Sequence, residues 1–139
     1  ALEDPAGNPL EIFHGPRIDS HLPFHPGRRM FGRFLTGAGG MGHVLIKHID
    51  FGETERFYHM LGMRGGIEYK FPRPQGQTMD LMFMDCGQRD HAIAFGLPAK
   101  GQISHLMFEV EKFDDVFFTY ERVKDQYPIM IAPGRHSND

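Results

Sequence analysis

Two histidines of this chain occupy matching local settings. His43 stands at the mouth of an apolar run in GMGHVLIKHID (residues 40–50), and His105 does so again in ISHLMFEVEKF (103–113). Phe51 and Phe113 each follow their histidine by eight residues, and a charged residue, Lys47 or Glu109, stands four after each. A lone histidine at a strand end is usually solvated or hydrogen-bonded. Repetition favours a metal, because two like units packed about a pseudo-twofold axis bring equivalent positions to one cleft. Two neutral imidazoles facing each other suit a borderline divalent ion. They are one ligand short of the two-histidine, one-carboxylate set of non-haem iron(II) enzymes, which leaves positions open for substrate and O₂. No H-x-x-x-H or H-x-D spacing built on His43 or His105 supplies the rest locally.

A third histidine, His91 in RDHAIAFG, opens a strand-like segment directly after Asp90. It is either held by Asp90 or by backbone, or is an acid/base group that titrates near neutrality. His136 lies in the loop-like GRHSND, where exposed histidine is ordinary. His14, His21, His25, His48 and His59 read as surface or packing residues.

The elements that must position these groups follow from periodicity. DPAGNP (4–9) is turn chemistry, LEIFHG (10–15) a short strand, and residues 16–33 a proline- and glycine-bearing connector without period. Strand patterns cover 42–49, 63–71, 78–86, 90–96, 103–110 and 127–133. Helical patterns cover 52–61, with Phe57, Met60 and Leu61 on one face, and 112–126. In the strand over 78–86, Met79, Leu81, Phe83 and Asp85 point one way and Asp80, Met82 and Met84 the other. The order predicts an α+β fold: one βαβββ module, then a second that stops after strand, helix and strand.

Length and composition narrow the class. The 139 residues fit one domain with a real core. Fifteen Lys and Arg against 18 Asp and Glu argue against a nucleic-acid surface, and the short basic stretch GRRMFGR (27–33) does not alter that. No apolar run approaches the ~20 residues of a membrane span. The single cysteine, Cys86, excludes an intrachain disulfide and points to the cytoplasm. The first residue is Ala rather than Met, and both ends read as cut from a longer protein.

Taken together, GMGHVLI, RDHAIAFG, ISHLMFEV and APGRHSND stand in the order and approximate spacing of the type I extradiol ring-cleavage dioxygenases of the vicinal-oxygen-chelate superfamily. The resemblance covers essentially the whole chain and is closest to the 2,3-dihydroxybiphenyl 1,2-dioxygenase branch and its catechol-cleaving relatives. It implies paired βαβββ modules of glyoxalase-like fold. By it, residues 1–15 are the closing strand of an N-terminal domain, 16–40 a connector, and 41–139 an incomplete C-terminal catalytic domain. It implies that His43 and His105 hold Fe(II), or occasionally Mn(II), with O₂ as co-substrate. His91 matches a histidine that assists proton transfer, His136 a catalytic pocket histidine near the substrate hydroxyls, and Asp139 an acidic residue of the pocket. The implied reaction is extradiol cleavage of a catechol-type aromatic diol in aromatic catabolism.

One departure stands out. The family's third ligand is a glutamate beyond the RHSND loop, and none follows Asp139 here. Glu11, in the matching place of the N-terminal domain's last strand, is a weak substitute. The isolated chain is therefore expected to be a poor catalyst, and open sheet edges favour a homo-oligomer. Two other readings keep the fold: a metal-dependent isomerase, epimerase or lyase of the glyoxalase kind that stabilises an enediolate, and a metal-free module that binds a small aromatic molecule. His91 favours the dioxygenase over the first, and convergence of His43 with His105 would tell against the second.

Overall fold

Alternation decides which face of each strand is buried, and one helix covers that face. The computed structural model describes residues 2–15, 27–87 and 89–134. In chain order these form β1 (Leu2–Glu3), β2 (Pro9–Leu10), β3 (Gly42–His48), α1 (Phe51–Met60), β4 (Arg64–Pro72), β5 (Thr78–Asp85), β6 (Ile93–Pro98), β7 (Ile103–Phe108) and α2 (Phe113–Val123). Five strands make one mixed sheet in the order β4-β5-β6-β3-β7, in which only β3 and β6 run parallel. The unit β3-α1-β4-β5-β6 is the expected βαβββ module, and β7 with α2 begins a second. None of the helices among the described residues is long and apolar enough to cross a membrane.

The core lies between the sheet and α1. Ile46 of β3, Met82 and Met84 of β5, and Ile93 and Phe95 of β6 are buried there with Tyr58 of α1. The expected alternation of β5 holds, with Met82 and Met84 sharing the buried face. Asp50 starts α1 by accepting from the Glu53 N–H at 2.8 Å, a side-chain N-cap that satisfies an otherwise orphaned donor.

The buried stripe of α1 follows its apolar residues only in part: Phe57 packs against the core, but Met60 and Leu61 on the same expected face are exposed. Thr54 and Tyr58 face the core, while Met60 is 78% exposed. Polar groups can be buried when partnered, and these are. Thr54 Oγ1 donates to the Asp50 carbonyl at 2.7 Å, and the Tyr58 hydroxyl donates to the Asp4 carboxylate at 3.0 Å. Burial first, and the Asp4 charge second, hold the Tyr58 phenol well above its ordinary value.

Asp4 also accepts from the backbone of Ala6 and Asn8 and from the Asn8 side chain, whose amide reaches the Lys47 carbonyl. The Asp4–Asn8 turn is thereby fastened to β3 and α1. In the ladder that this turn closes, Leu2 pairs with Leu10 and Glu3 with Pro9; the strand expected over 10–15 ends at Leu10, and Glu11, Ile12 and Phe13 are exposed. The strand expected over 127–133 does not form either. Its apolar residues Tyr127, Ile129, Met130 and Ile131 are exposed, and an extended segment needs a neighbour to satisfy its backbone.

Within the connector, residues 31–35 are anchored. Asp115, buried at the start of α2, accepts from the N–H groups of Phe31 and Gly32, both at 2.8 Å. Phe34 bridges to Val110, and the Leu35 N–H donates to the Glu109 carbonyl at 2.9 Å.

Candidate metal centre

The face of the sheet opposite α1 carries the histidines. β3 and β7 pair antiparallel, with His43 opposite Met107 and His105 opposite Leu45. The two histidines are thus diagonal neighbours on one face. Their Nε2 atoms approach to 3.1 Å. Gly42 permits the approach. Its φ is +155°, and a Cβ there would stand 1.9 Å from the Met107 carbonyl oxygen, so no other residue fits without moving β7.

His91 joins them from a turn rather than from a strand, since β6 begins only at Ile93. The strand expected from residue 90 starts at Ile93, and Ala92 leads into it between the same two neighbours: its N–H donates to the Met84 carbonyl and its carbonyl accepts from the Val44 N–H. This pins His91, 7% exposed, over the His43 ring. Their ring centroids lie 4.3 Å apart, and the Phe83 ring stands edge-on to His91 at 4.9 Å. Asp90 is exposed. Beside the rings opens a cleft of about 820 Å³, lined by Leu35, His43, Arg89, His91, Met107 and Glu109 among others.

The donor set suits a divalent metal as far as it goes. Two nitrogens each about 2.1 Å from one ion at a right angle would lie about 3 Å apart, close to the observed 3.1 Å. In the absence of metal, the same distance is that of an N–H···N hydrogen bond between the rings. Among the described residues no third His, Cys, Asp or Glu joins the pair as a group able to hold an ion, and Glu11 is exposed beyond β2. His136 and Asp139 lie outside the described residues. Of the remaining histidines, His48 is a packing residue against Phe51 and Phe95, and His59 bonds to the Met63 carbonyl. His14 is exposed, while His21 and His25 lie outside the described residues.

Sequence reading passed over one residue of this region. Arg89 is only 15% exposed in its side chain and ion-pairs with Glu109 at 2.6 Å. Nothing in CGQRDHAI marks it, because its partners come from segments distant in sequence.

Residues 40–139 match the family described as Glyoxalase/Bleomycin resistance protein/Dioxygenase superfamily. The chain is 48% identical over 139 residues to a 1,2-dihydroxynaphthalene dioxygenase of Pseudomonas sp. (strain C18), a match covering 99% of this chain and 46% of that protein. A biphenyl-2,3-diol 1,2-dioxygenase of Sphingomonas paucimobilis is 44% identical over 140 residues, covering 99% and 47%. A crystal structure of catechol 2,3-dioxygenase superposes with a TM-score of 0.91 at 46% identity, over 99% of this chain and 49% of that one. The chain therefore spans just under half the length of these relatives.

Proposed function

The chain belongs to the extradiol dioxygenases of the glyoxalase/bleomycin resistance protein/dioxygenase superfamily, and from that premise we propose that the protein it is part of opens aromatic vicinal diols. The ring carbon–carbon bond beside the two hydroxyls is cleaved, and both atoms of O₂ enter the product. The observation that carries this reading is the convergence of His43 and His105 at 3.1 Å across the β3–β7 ladder. The pair would hold Fe(II), with Mn(II) as the alternative, and a carboxylate outside the described residues would complete the set. When bound, the ion supplies a positive template for the two diol oxygens and an electron path between diol and O₂.

The chain's own groups do the rest. His43 and His105 must present neutral Nε2 lone pairs, so the hydrogen bond between them has to open when a cation enters. His91 takes or gives a proton at the mouth of the cleft. Its ring is fixed between His43 and Phe83, and a held imidazole needs little reorganisation to act. A cleft of about 820 Å³ lies within the range that encloses a small-molecule substrate. Both diol-cleaving relatives are named for two-ring substrates, and a two-ring diol is the substrate class we assign. His136 is assigned by the family motif to the pocket near its hydroxyls, and Asp139 to the same pocket; both lie outside the described residues. Residues 1–15, 16–40 and 41–139 are assigned as closing strand, connector and incomplete catalytic domain.

The test is ring cleavage by the full-length protein. Loaded with Fe(II) without air and then given oxygen, it should turn 1,2-dihydroxynaphthalene or 2,3-dihydroxybiphenyl into a ring-opened, coloured product. Isomerisation of a glyoxalase-type substrate without oxygen uptake would replace this reading with the enediolate one. The 139-residue chain alone is expected to turn over slowly or not at all.

A further inference from the structure

One guanidinium touches all three segments that carry the histidines. Arg89 Nε donates to the Gly39 carbonyl at 2.6 Å, and Nη2 donates to the carbonyls of Leu35 at 3.1 Å and Gly40 at 3.2 Å. Nη1 donates to Glu109 Oε2 at 2.6 Å. Gly39 and Gly40 lie just before His43, Glu109 lies four residues after His105, and Arg89 itself lies two before His91. We propose that Arg89 is a positioning residue that braces His43, His91 and His105 relative to one another, deepening the dioxygenase reading and resting on it.

The local structure is shaped for this brace. A Cβ at Gly39 would stand 3.1 Å from Arg89 Nε and 3.2 Å from its Cγ, so the glycine keeps room for the side chain. Gly40 has φ +69°, a left-handed turn that glycine adopts without penalty. A guanidinium has five N–H donors in a rigid plane. Three backbone carbonyls and a carboxylate take up that fork, which leaves Arg89 turned toward protein rather than offered to a substrate. A lysine has the charge but not the planar fork, so it cannot hold the same acceptors at the same angles.

This role differs in sign from that of a charge near a cation site. A positive charge repels a divalent ion, so if charge alone mattered, Arg89→Met would tighten metal binding and Arg89→Lys would leave it unchanged. A brace predicts that both variants weaken it. The experiment titrates Co(II) into the full chain, wild type and both variants, without oxygen or substrate. In parallel, NMR of the metal-free chain follows ring-to-ring contacts of His43 with His91 and His105, with the Met84 and Phe95 signals as a folding control.

The expected result is a loss of Co(II) affinity of about tenfold or more in both variants, the scale seen when groups that orient metal ligands are removed. The histidine contacts should weaken while the core signals persist. Glu109→Gln, which loosens only the β7 tether, should give a smaller loss. Affinity that stays within twofold or rises in both variants, or ring contacts that persist, would overturn the brace. If Arg89→Met fails to fold, Arg89→Lys and Glu109→Gln carry the same comparison. Failure of the full-length protein to cleave diols would remove the dioxygenase reading without altering these measurements.

Discussion

The two halves of the histidine site are built from one pattern and end in different states. His43 and His105, Phe51 and Phe113, and Tyr58 and Tyr120 are each separated by 62 residues, and α1 and α2 begin on the paired phenylalanines. Around α1, three further strands close the core, and Met84 and Phe95 are fully buried. Around α2 no such strands stand among the described residues, and Leu106, Phe108 and Phe117 remain 45–50% exposed. The approach of His43 to His105 survives this difference because it is set across the β3–β7 ladder rather than by a second packed layer over α2. Core packing does not survive, because apolar burial needs a second layer.

The polar groups at the helix starts diverge in the same way. Asp50 caps α1, whereas its counterpart at α2, Lys112, provides no side-chain cap. The carboxylate that α2 does bury, Asp115, is used on the connector instead. Both helices are thus tied to segments far upstream, α1 to the Asp4–Asn8 turn through Tyr58 and α2 to residues 31–32 through Asp115.

Breaking the pattern at paired positions tests this contrast. The largest effect is expected at the histidines. His43→Ala and His105→Ala should each lower divalent-metal retention of the full-length protein by at least about a hundredfold, to a similar degree, whereas His59→Ala should not; metal content after desalting reads this out. Unequal losses would show that the two halves do not share the ion.

Next come the cores. Phe95→Ala should cost about 3–5 kcal/mol in urea unfolding of this chain, and Phe117→Ala less than about 1 kcal/mol. In the full-length protein the gap should narrow if additional strands cover α2.

Tyr58→Phe should cost about 1–3 kcal/mol near neutral pH, because the Asp4 carboxylate loses a buried donor. That cost should shrink with alkali. The folded phenol resists ionising while the unfolded one ionises at about 10, so the wild type loses stability as pH rises past 10 and the variant lacks that loss. Tyr120→Phe, which removes no buried hydrogen bond, should cost no more than about 0.5 kcal/mol near neutral pH.

The smallest expected effect is at the caps, about 1 kcal/mol for Asp50→Ala against no more than about 0.5 kcal/mol for Lys112→Ala, measured by thermal unfolding.

Much of this could be read in the chain before any fold was known. Period-two alternation marked the five strands of the main sheet and put Met82 and Met84 on one face of β5 without saying which face is buried, helical periodicity marked both helices, and the repeated spacing marked the histidine pair. These are local signals, set by side-chain direction within one element. Phe57 of α1 packs on the core as its apolar character suggests, but the burial of Thr54 and Tyr58 was not legible, because their polar partners are not visible in sequence. Asp4, which makes Tyr58 worth burying, lies 54 residues away. The segment YPIMIAP has strand-like residues, but a strand exists only beside a neighbour, and neighbours are a tertiary matter.

Sequence by itself therefore singled out candidate residues and set His43 and His105 on strands, but it also expected a strand at His91, which lies ahead of β6. Tertiary structure alone decided that His43 and His105 meet, that His91 lies against them from a turn, and that Arg89 ties the three segments together. The physical reason is range. Backbone periodicity acts over a few residues, while ladder register, ring packing and a shared guanidinium act between segments tens of residues apart.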